Sequence, residues 1–291
     1  MSGVVKGRVA VITGAGQGLG RSHALEFARQ GASVVVNDVG EAAEQVVSEI
    51  RAAGGVATAS VGDVSDWDYA AALIDTAVST YGRLDALVNN AGLVRDKMFV
   101  NLTEEEWDLV LRVDLKGHVC PFRHAAAYWR ERSKLGEVVT ARVINTTSGA
   151  GLLGSVGQSN YAAAKAGITA LTLVAAVELA RYGITVNAIA PAARTPMTEE
   201  VFAETMAAPK SGFDPMSPDN VSPLVAWLAS EESGDVTGRV FEVQAGIVSV
   251  ADGWQPGPSA DNRAKWDSSD LGPVVRRLLA EAPAPAPVYG A

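Results

Sequence analysis

The stretch Val9–Gly20, VAVITGAGQGLG, decides the fold of this chain. Four apolar residues lead to Thr13, four glycines follow at alternate positions, and a helical segment, RSHALEFARQG, comes next. A buried strand, a glycine turn and a helix in this order are typical of the first unit of a dinucleotide-binding α/β fold. The glycines let the backbone approach a ligand closely, and the helix N-terminus offers free N–H groups to a pyrophosphate. An ordinary glycine turn is the alternative, and the strand–turn–helix context disfavours it.

The rest of the chain repeats this alternation of short apolar runs and longer helical segments. Runs that are apolar throughout indicate strands buried on both faces, as in a parallel sheet covered by helices. The sequence therefore predicts a Rossmann-like, doubly wound α/β fold, a three-layer αβα arrangement around a seven-stranded parallel sheet. The predicted strands are Arg8–Thr13, Ser33–Asp38, Val56–Val61, Ala86–Asn89, Arg142–Thr147, Thr185–Ala190 and Val240–Gln244.

Two changes in composition divide the chain. The segment 195–223 holds five prolines and one glycine, which predicts an irregular lid rather than a regular element. After residue 252 the sequence contains PGPS and APAPAP. We therefore expect one catalytic domain over 1–252 and a C-terminal tail over 253–291, Pro-rich at its end, with one short helix at Leu271–Glu281.

Composition narrows the class of protein. The chain has 291 residues, a net charge of −9 and one cysteine, Cys120. An acidic chain repels phosphate backbones, so we expect no nucleic-acid partner. The sequence contains no run of about 18 apolar residues, so we expect no membrane span. The N-terminus lacks the pattern of a signal peptide. A single cysteine and no predicted leader suggest a reduced, cytoplasmic setting.

Polar residues that follow the predicted strands indicate which ligand the fold binds. Asp38 ends the second strand, where a carboxylate can accept hydrogen bonds from both ribose hydroxyls of an adenosine and repels a 2′-phosphate. No basic residue lies within Ala15–Leu19, and Val39 follows the aspartate. These features favour NAD over NADP. The alternative for Asp38 is a cap on the next helix.

Further candidates follow the next strands. Asp63 comes after the third strand, and LVNNAG, with Asn90, Ala91 and Gly92, comes at the fourth. Small and amide residues at the carboxyl ends of parallel strands suit the ligand crevice of a doubly wound sheet. Each is a weak signal alone, because asparagine and glycine also form ordinary turns.

A tyrosine and a lysine interrupt the alanine-rich stretch Ser159–Gly167, SNYAAAKAG. On a helix, Tyr161 and Lys165 lie at i and i+4 and share one face. A nearby cation stabilises a phenolate, so the lysine is predicted to lower the tyrosine pKa and allow acid–base work. Ser148 follows the fifth strand, where its hydroxyl is placed to bind a substrate oxygen. A packing tyrosine, a solvated lysine and a turn serine are the alternatives.

Taken together, these motifs resemble the short-chain dehydrogenase/reductase family over about residues 6–250. The matching pieces are TGAGQGLG, NNAG, Ser148, YAAAK thirteen residues later, and NAIAP followed by Thr195. The resemblance implies NAD(P)-dependent interconversion of a secondary alcohol and a ketone, and a homotetramer formed partly through the Tyr161 helix. VVVNDVG and NNAGLVRDKMF further resemble the dehydrogenase part of peroxisomal multifunctional β-oxidation enzymes. Bacterial relatives of those enzymes act on hydroxyacyl-CoA or steroid-derived substrates.

The resemblance also implies roles for individual residues. Tyr161, Lys165 and Ser148 are the expected catalytic residues, and Thr195 is expected to hold the nicotinamide carboxamide. The expected cofactor-binding set, with NAD as the cofactor, is Gly14, Gln17, Gly18, Leu19, Gly20, Asp38, Asp63, Val64, Asn90, Ala91, Gly92, Tyr161, Lys165 and Thr195.

One predicted catalytic position departs from the family pattern. The family usually carries an asparagine whose backbone carbonyl positions a water in a proton relay, and RVDLKG places Asp114 there. A backbone role survives such a change, so Asp114 is kept as a fourth catalytic candidate.

Other classes of protein and site fit the sequence less well. A sugar-nucleotide epimerase or dehydratase would carry a glycine where Gln17 stands, and a non-catalytic NAD sensor commonly loses the tyrosine. His118, Cys120 and His124 are the only soft-ligand cluster, but residues six apart on a helix point about 120° apart. We therefore predict no metal site and a small-molecule substrate.

Overall fold

The computed structural model describes residues 3–196, 206–251 and 253–290. Its centre is one eight-stranded sheet with the order β3-β2-β1-β4-β5-β6-β7-β8. The first seven strands pair in parallel, and only β8 runs antiparallel to its neighbour. The strands are β1 Val9–Ile12, β2 Ser33–Asp38, β3 Val56–Val61, β4 Ala86–Asn89, β5 Ala141–Thr146, β6 Ile184–Ala192, β7 Val240–Gln244 and β8 Ile247–Ala251.

Helices connect the parallel strands and cover both faces of the sheet. Within the described ranges they are α1 Gly18–Arg29, α2 Ala42–Ala52, α3 Trp67–Tyr81, α4 Glu104–Val110, α5 Gly117–Lys134, α6 Gly149–Leu153, α7 Ser159–Leu179, α8 Ser222–Leu228 and α9 Leu271–Glu281. A π-helical turn at Leu111–Lys116 joins α4 to α5. The predicted Rossmann-like, three-layer α/β fold is confirmed.

Successive residues of the central strands enter opposite layers of the core. In β2, Val34 and Val36 belong to the apolar cluster on one face, while Val35 belongs to the cluster on the other. Ile12 and Val11 of β1 divide in the same way. Because side chains alternate across a strand, a sheet covered on both faces needs apolar residues at every position. This requirement explains the unbroken apolar runs in the sequence.

The prediction of seven strands missed β8. A two-residue turn at Ala245–Gly246, with Ala245 at a φ of 53°, folds β8 back along β7 as a hairpin. Ile247, Val248 and Val250 of β8 are exposed, so the strand lies at the edge of the sheet. The other seven strands were predicted from the alternation of strands and helices. β8 follows β7 directly through a two-residue turn, as in a β-hairpin, so this alternation does not predict it.

The helix that carries Tyr161 is also apolar. Continued to Tyr182, it is the one helix in the described part of the chain that is long and apolar enough to cross a membrane by length and composition. Its residues Ala175 and Ala176 pack in one core cluster with Val186 of β6. One face of the helix therefore packs in the core, while another exposes Leu173, Val174 and Val177.

The segment predicted as a lid is described only in part. Met197, Val201 and Phe202, three of its apolar residues, lie outside the described residues. Two described residues of the segment, Met206 and Asp214, contact Arg194, which precedes it. The Arg194 guanidinium donates to the carbonyl of Met206 at 2.8 Å and forms an ion pair with Asp214. The predicted domain boundary at residue 252 also falls outside the described residues.

Candidate active site

A cavity of about 1170 Å³ opens at the carboxyl ends of the parallel strands. It lies between β1 and β4, where the order in which successive strands join the sheet reverses. From there it extends past β5 and β6. Ligand sites of α/β sheets occur at this switch point. The volume exceeds the roughly 300–1,000 Å³ of ordinary ligand pockets, which leaves room for a dinucleotide and a second molecule.

Most of the residues predicted from the sequence line this one cavity. Gly20 and Asp114 do not, and both lie directly behind its wall, as described below. The predicted residues that line it are Gly14, Gln17, Gly18, Leu19, Asp38, Asp63, Val64, Asn90, Ala91, Gly92, Ser148, Tyr161, Lys165 and Thr195.

Two positions of the glycine loop accept no side chain. Gly14 has a φ of 59°, and a Cβ there would come within 2.7 Å of the Ala91 Cα. A Cβ at Gly20 would lie 2.1 Å from the carbonyl oxygen of Gly14. The first glycine therefore allows the tight turn, and the last allows α1 to begin against the loop.

The end of β4 is fastened to the same loop. The Asn90 amide donates to the carbonyls of Thr13 and Gly14, both at 3.1 Å. The Thr13 hydroxyl accepts from the backbone N–H groups of Asn90 and Ala91. These bonds explain the amide in NNAG: it satisfies backbone groups at the point where the strand and the glycine loop form the cavity floor.

The two carboxylates on the β2 and β3 side have different surroundings. Asp38 accepts a hydrogen bond from the Gly16 N–H at 2.9 Å, which directs its side chain toward the glycine loop. Asp63 accepts from the Ser65 hydroxyl and from the Arg112 guanidinium, both at 2.7 Å. Burial acts to raise the pKa of Asp63, but the bonds from Ser65 and Arg112 hold it below its ordinary value. Asp63 is thus an ionised group already engaged by a cation.

Ser148, Tyr161 and Lys165 meet on the β5 side of the cavity. Ser148 caps the N-terminus of α6, where its oxygen accepts from the Ala150 N–H at 3.2 Å. One turn apart on α7, Lys165 Nζ lies 5.3 Å from the centre of the Tyr161 ring. The ammonium also donates to the carbonyl of Thr146 at 3.0 Å. The spacing in YAAAK therefore places a phenol, a hydroxyl and an ammonium at one site.

The surroundings of Tyr161 oppose the predicted shift of its acidity. Burial raises the pKa of the phenol, and the charge of Lys165 and a hydrogen bond with Ser148 act to lower it. The negative charge of Asp114 adds to the upward shift, and the net pKa lies above the ordinary value. Lys165 thus acts in the predicted direction, but burial and the facing carboxylate outweigh it in this arrangement.

Asp114 contacts Lys165 through its side chain. Its Oδ2 lies 3.2 Å from Lys165 Nζ, and its Oδ1 accepts from the Leu93 N–H at 2.9 Å. Both side chains are buried. Burial acts to lower the pKa of Lys165, but the carboxylate and the phenol raise it overall. The sequence favoured a backbone role for this residue, whereas in the structure its carboxylate itself touches the candidate catalytic lysine.

Local backbone geometry makes this ion pair fit. Asp114 lies in the π-helical turn, a distortion that is frequent at functional sites. A Cβ at Gly92 would lie 2.9 Å from Asp114 Oδ2 and 3.4 Å from Lys165 Nζ. The absence of a side chain at the last residue of NNAG thus leaves the space that the pair occupies.

The cluster of soft ligands does not converge. His118 and Cys120 are buried in the core, whereas the His124 ring packs edge-on against Trp67 at 5.0 Å. No group of three or more histidine, cysteine or acidic residues that could hold a metal ion occurs among the residues described.

Several residues of the cavity were not found from the sequence. Ile247 and Ser249 come from β8, and Tyr289 and Gly290 come from the C-terminal tail, whereas Met206 belongs to the lid that the sequence predicted. The turn before β8 lacks the Asn-Gly or Asp-Gly pair that usually marks a two-residue hairpin, and Ala245 adopts a positive φ there. For Tyr289 the sequence gives no signal, because a tyrosine after a proline-rich run carries no information about where the tail docks.

The family follows from comparison with known proteins. A family model described as short chain dehydrogenase matches residues 8–206. The chain belongs to the short-chain dehydrogenase family. It is 48% identical over 286 residues to hydroxyacyl-CoA dehydrogenase ChsB1 of Mycobacterium tuberculosis, a match that covers 95% of this chain and 90% of that protein.

Two further relatives support the same placement. The chain is 38% identical over 281 residues to peroxisomal multifunctional enzyme type 2 of Mus musculus, covering 93% of this chain and 34% of that longer protein. The crystal structure of a short chain dehydrogenase from Mycobacterium avium superposes with a TM-score of 0.93 at 60% identity, covering 99% of this chain and 100% of that one. The predicted relation to the dehydrogenases of multifunctional enzymes is therefore confirmed.

Proposed function

We propose that this short-chain dehydrogenase uses NAD to interconvert a secondary alcohol and a ketone on a 3-hydroxyacyl-CoA or a similarly bulky apolar substrate. The observation that carries the proposal is the presence of Ser148, Tyr161 and Lys165 in the same cavity as the glycine loop and Asp38. An oxidoreductase of this family is supported by the relatives, whereas the cofactor and the substrate are parts of the proposal.

The proposed mechanism assigns each side chain one task. The Ser148 hydroxyl and the Tyr161 phenol hold the substrate oxygen, and in the oxidation direction the Tyr161 phenolate accepts the hydroxyl proton. When bound, the nicotinamide supplies the acceptor for the hydride that leaves the carbon. Lys165 stabilises the phenolate by its charge and by its position at 5.3 Å from the ring centre. Asp114 acts as a positioning residue that fixes Lys165.

The cavity fits a dinucleotide, and its charges favour NAD. Gly14 and Gly18 line the cavity without side chains, which suits close approach of a pyrophosphate. Asp38 lines the cavity and would repel a 2′-phosphate. Arg21, the nearest basic residue after the loop, forms an ion pair with Glu49 instead.

The apolar side of the cavity supports a bulky substrate. Leu93, Leu109, Val156, Met206 and Ile247 line it together with the candidate catalytic residues. Methionine adapts to irregular partners, which suits a lid over an acyl chain. The names of the relatives, a hydroxyacyl-CoA dehydrogenase among them, agree with this substrate class. We propose that segment 195–223 closes over such a substrate. The Arg194 N–H donates to the carbonyl of Met216, and this hydrogen bond anchors the C-terminal part of the segment.

Turnover of a substrate panel tests the function. The purified chain is assayed with NAD and with NADP against 3-hydroxyacyl-CoA esters, hydroxysteroids and small polar alcohols. We expect the highest kcat/KM for a 3-hydroxyacyl-CoA with NAD. Preference for small polar alcohols would contradict the substrate class, and binding of NAD without turnover of any alcohol would favour the non-catalytic sensor.

Hydrogen exchange tests the lid separately. Protection across 195–220 is compared in the free chain, with NAD, and with NAD and a 3-hydroxyacyl-CoA. We expect protection to rise in the ternary complex because closure excludes water from the site. Unchanged exchange in this segment would show that it is only a connector.

A further inference from the structure

The end of the C-terminal tail is bonded to the loop that follows α6. The Val156 N–H donates to the Tyr289 carbonyl at 2.9 Å, and the Tyr289 N–H donates to the Gly154 carbonyl at 3.2 Å. Ser155 and Tyr289 therefore pair as an isolated parallel bridge. We call residues Val288–Gly290 the C-terminal strap. It is held by main-chain hydrogen bonds, so its attachment does not depend on one side chain.

The Tyr289 ring lies against the backbone next to the candidate catalytic serine. A Cβ at Gly149 would come within 2.8 Å of the Tyr289 Oη and 2.9 Å of its Cε2. Gly149 directly follows Ser148, so the phenol covers the start of α6. A side chain at 149 would push the ring out of this position.

Tyr289 belongs to the substrate side of the cavity rather than the cofactor side. Asp38 ends β2, whereas Ser148 follows β5, and three strand spacings, roughly 14 Å, separate β2 from β5. Tyr289 and Gly290 line the cavity at the β5 end together with Ser148 and Tyr161. The Tyr289 side chain is 48% exposed, so part of its surface is free to contact a ligand.

We propose that Tyr289, held by the C-terminal strap, is a specificity-determining residue that forms one wall of the acyl site beside Ser148. This inference rests on the proposed oxidation of a 3-hydroxyacyl-CoA and adds the residue that selects the acyl group. A tyrosine suits the position because its ring offers a large apolar surface with few rotatable bonds, while its hydroxyl reaches polar atoms or water. Its removal opens the wall without changing the side chains of Ser148, Tyr161 or Lys165.

Kinetics on a short and a long substrate test the wall. The ratio of kcat/KM for 3-hydroxydecanoyl-CoA to that for 3-hydroxybutyryl-CoA is measured for the wild type, Tyr289→Phe and Tyr289→Ala. We expect Tyr289→Ala to change this ratio by about tenfold, the scale of a lost apolar contact in a substrate pocket. Tyr289→Phe keeps the ring and should stay within about twofold of the wild-type ratio. Tyr182→Ala, at a tyrosine outside the cavity lining, serves as the matched control.

The kinetic outcomes separate a wall from a general structural role. A changed ratio with unchanged KM for NAD supports the proposal, because a loss of folding would lower turnover of both esters equally. An unchanged ratio in Tyr289→Ala overturns it. If the wild type oxidises no hydroxyacyl-CoA, the proposed function fails. The ratio of kcat/KM is then measured for a long and a short secondary alcohol. An equal ratio in the wild type and Tyr289→Ala would again contradict the proposed role of Tyr289.

Hydrogen exchange tests the attachment of the strap without any substrate. Truncation after Pro287 removes the carbonyl that accepts from Val156, and we expect faster exchange at 154–158 while the core strands stay protected. Equal exchange in the truncated and full-length chains would show that the strap does not dock in solution, which also overturns the proposal.

Discussion

The carboxylate of Asp114 lies 3.2 Å from the ammonium of Lys165, and both side chains are buried. A lysine alone beside Tyr161 would favour the phenolate, but a lysine paired with a carboxylate presents less net positive charge to the phenol. Asp114 also acts directly to raise the Tyr161 pKa. Asp114 therefore controls the charge around the proposed acid–base residue.

Replacement of Asp114 by asparagine should shift the pH dependence of alcohol oxidation. Asp114 raises the Tyr161 pKa, so its removal lowers that pKa and makes the phenolate available at lower pH. The expected result is an acid shift of the kcat/KM profile. A role of the backbone carbonyl alone would instead leave the profile in place, with turnover changed by less than about tenfold. Asp75→Asn, on the exposed face of α3, is the control.

Tyr161→Phe removes the proton-transferring oxygen and keeps the ring. We expect turnover to fall by roughly two to four orders of magnitude, the contribution of a positioned acid or base. NAD affinity, measured by calorimetry, should stay near the wild-type value. Tyr182→Phe makes the same chemical change outside the cavity lining and should keep full activity. A Tyr161→Phe enzyme with a tenth of the wild-type rate would refute the assignment, provided that chemistry limits the rate.

Asp38 should determine the preference for NAD. Its charge opposes a 2′-phosphate, so NAD is expected to bind at least about tenfold tighter than NADP, equivalent to about 1.4 kcal/mol. Asp38→Asn removes the repulsion and should narrow this gap. Calorimetry with both dinucleotides measures the effect, and equal affinities in the wild-type chain would contradict the prediction.

Gly92→Ala should disturb the buried ion pair. The added Cβ would lie 2.9 Å from Asp114 Oδ2, so the backbone or the pair must shift. Overpacking of this kind costs about 1–3 kcal/mol of stability, which chemical denaturation measures. We also expect lower turnover because Lys165 loses its fixed position. Gly257→Ala, where an added Cβ meets nothing within 4 Å, should change neither quantity.

The exposed face of α7 should mediate assembly of the proposed homotetramer. Val177, Val174 and Leu173 are 82%, 55% and 45% exposed on this helix. A contiguous apolar face of this kind is unusual on a monomer. We expect Val177→Glu to reduce the oligomer mass in analytical ultracentrifugation, because the new charge would be buried at the interface. A wild-type chain that sediments as a monomer would contradict the tetramer itself.

The sequence predicted the sheet well where one physical rule applied throughout. Strands β2, β3, β4 and β7 have the predicted bounds. In β2 and β4, burial on both faces leaves a largely apolar run. The sequence of β8, IVSVA, is also mostly apolar, but β8 was missed because it follows β7 across a two-residue turn and pairs with it antiparallel, outside the βα alternation. The cofactor and catalytic candidates could be found because glycine turns, strand-end carboxylates and an i, i+4 pair are local patterns that read directly from the chain.

Tertiary structure decided how those local patterns act on one another. The sequence by itself placed Tyr161 and Lys165 on one helical face, but burial and Asp114 set the direction of the Tyr161 pKa, and both depend on residues from other elements. Likewise, the tail could be recognised as a tail, whereas its docking at Gly154 and Val156 arises from main-chain hydrogen bonds between distant segments. Because backbone groups are alike in every residue, the sequence carries no signal for where such bonds form. The sequence by itself determined the fold and the residue types of the site. Only the folded chain decided the electrostatics of those residues and the position of Tyr289 beside Ser148.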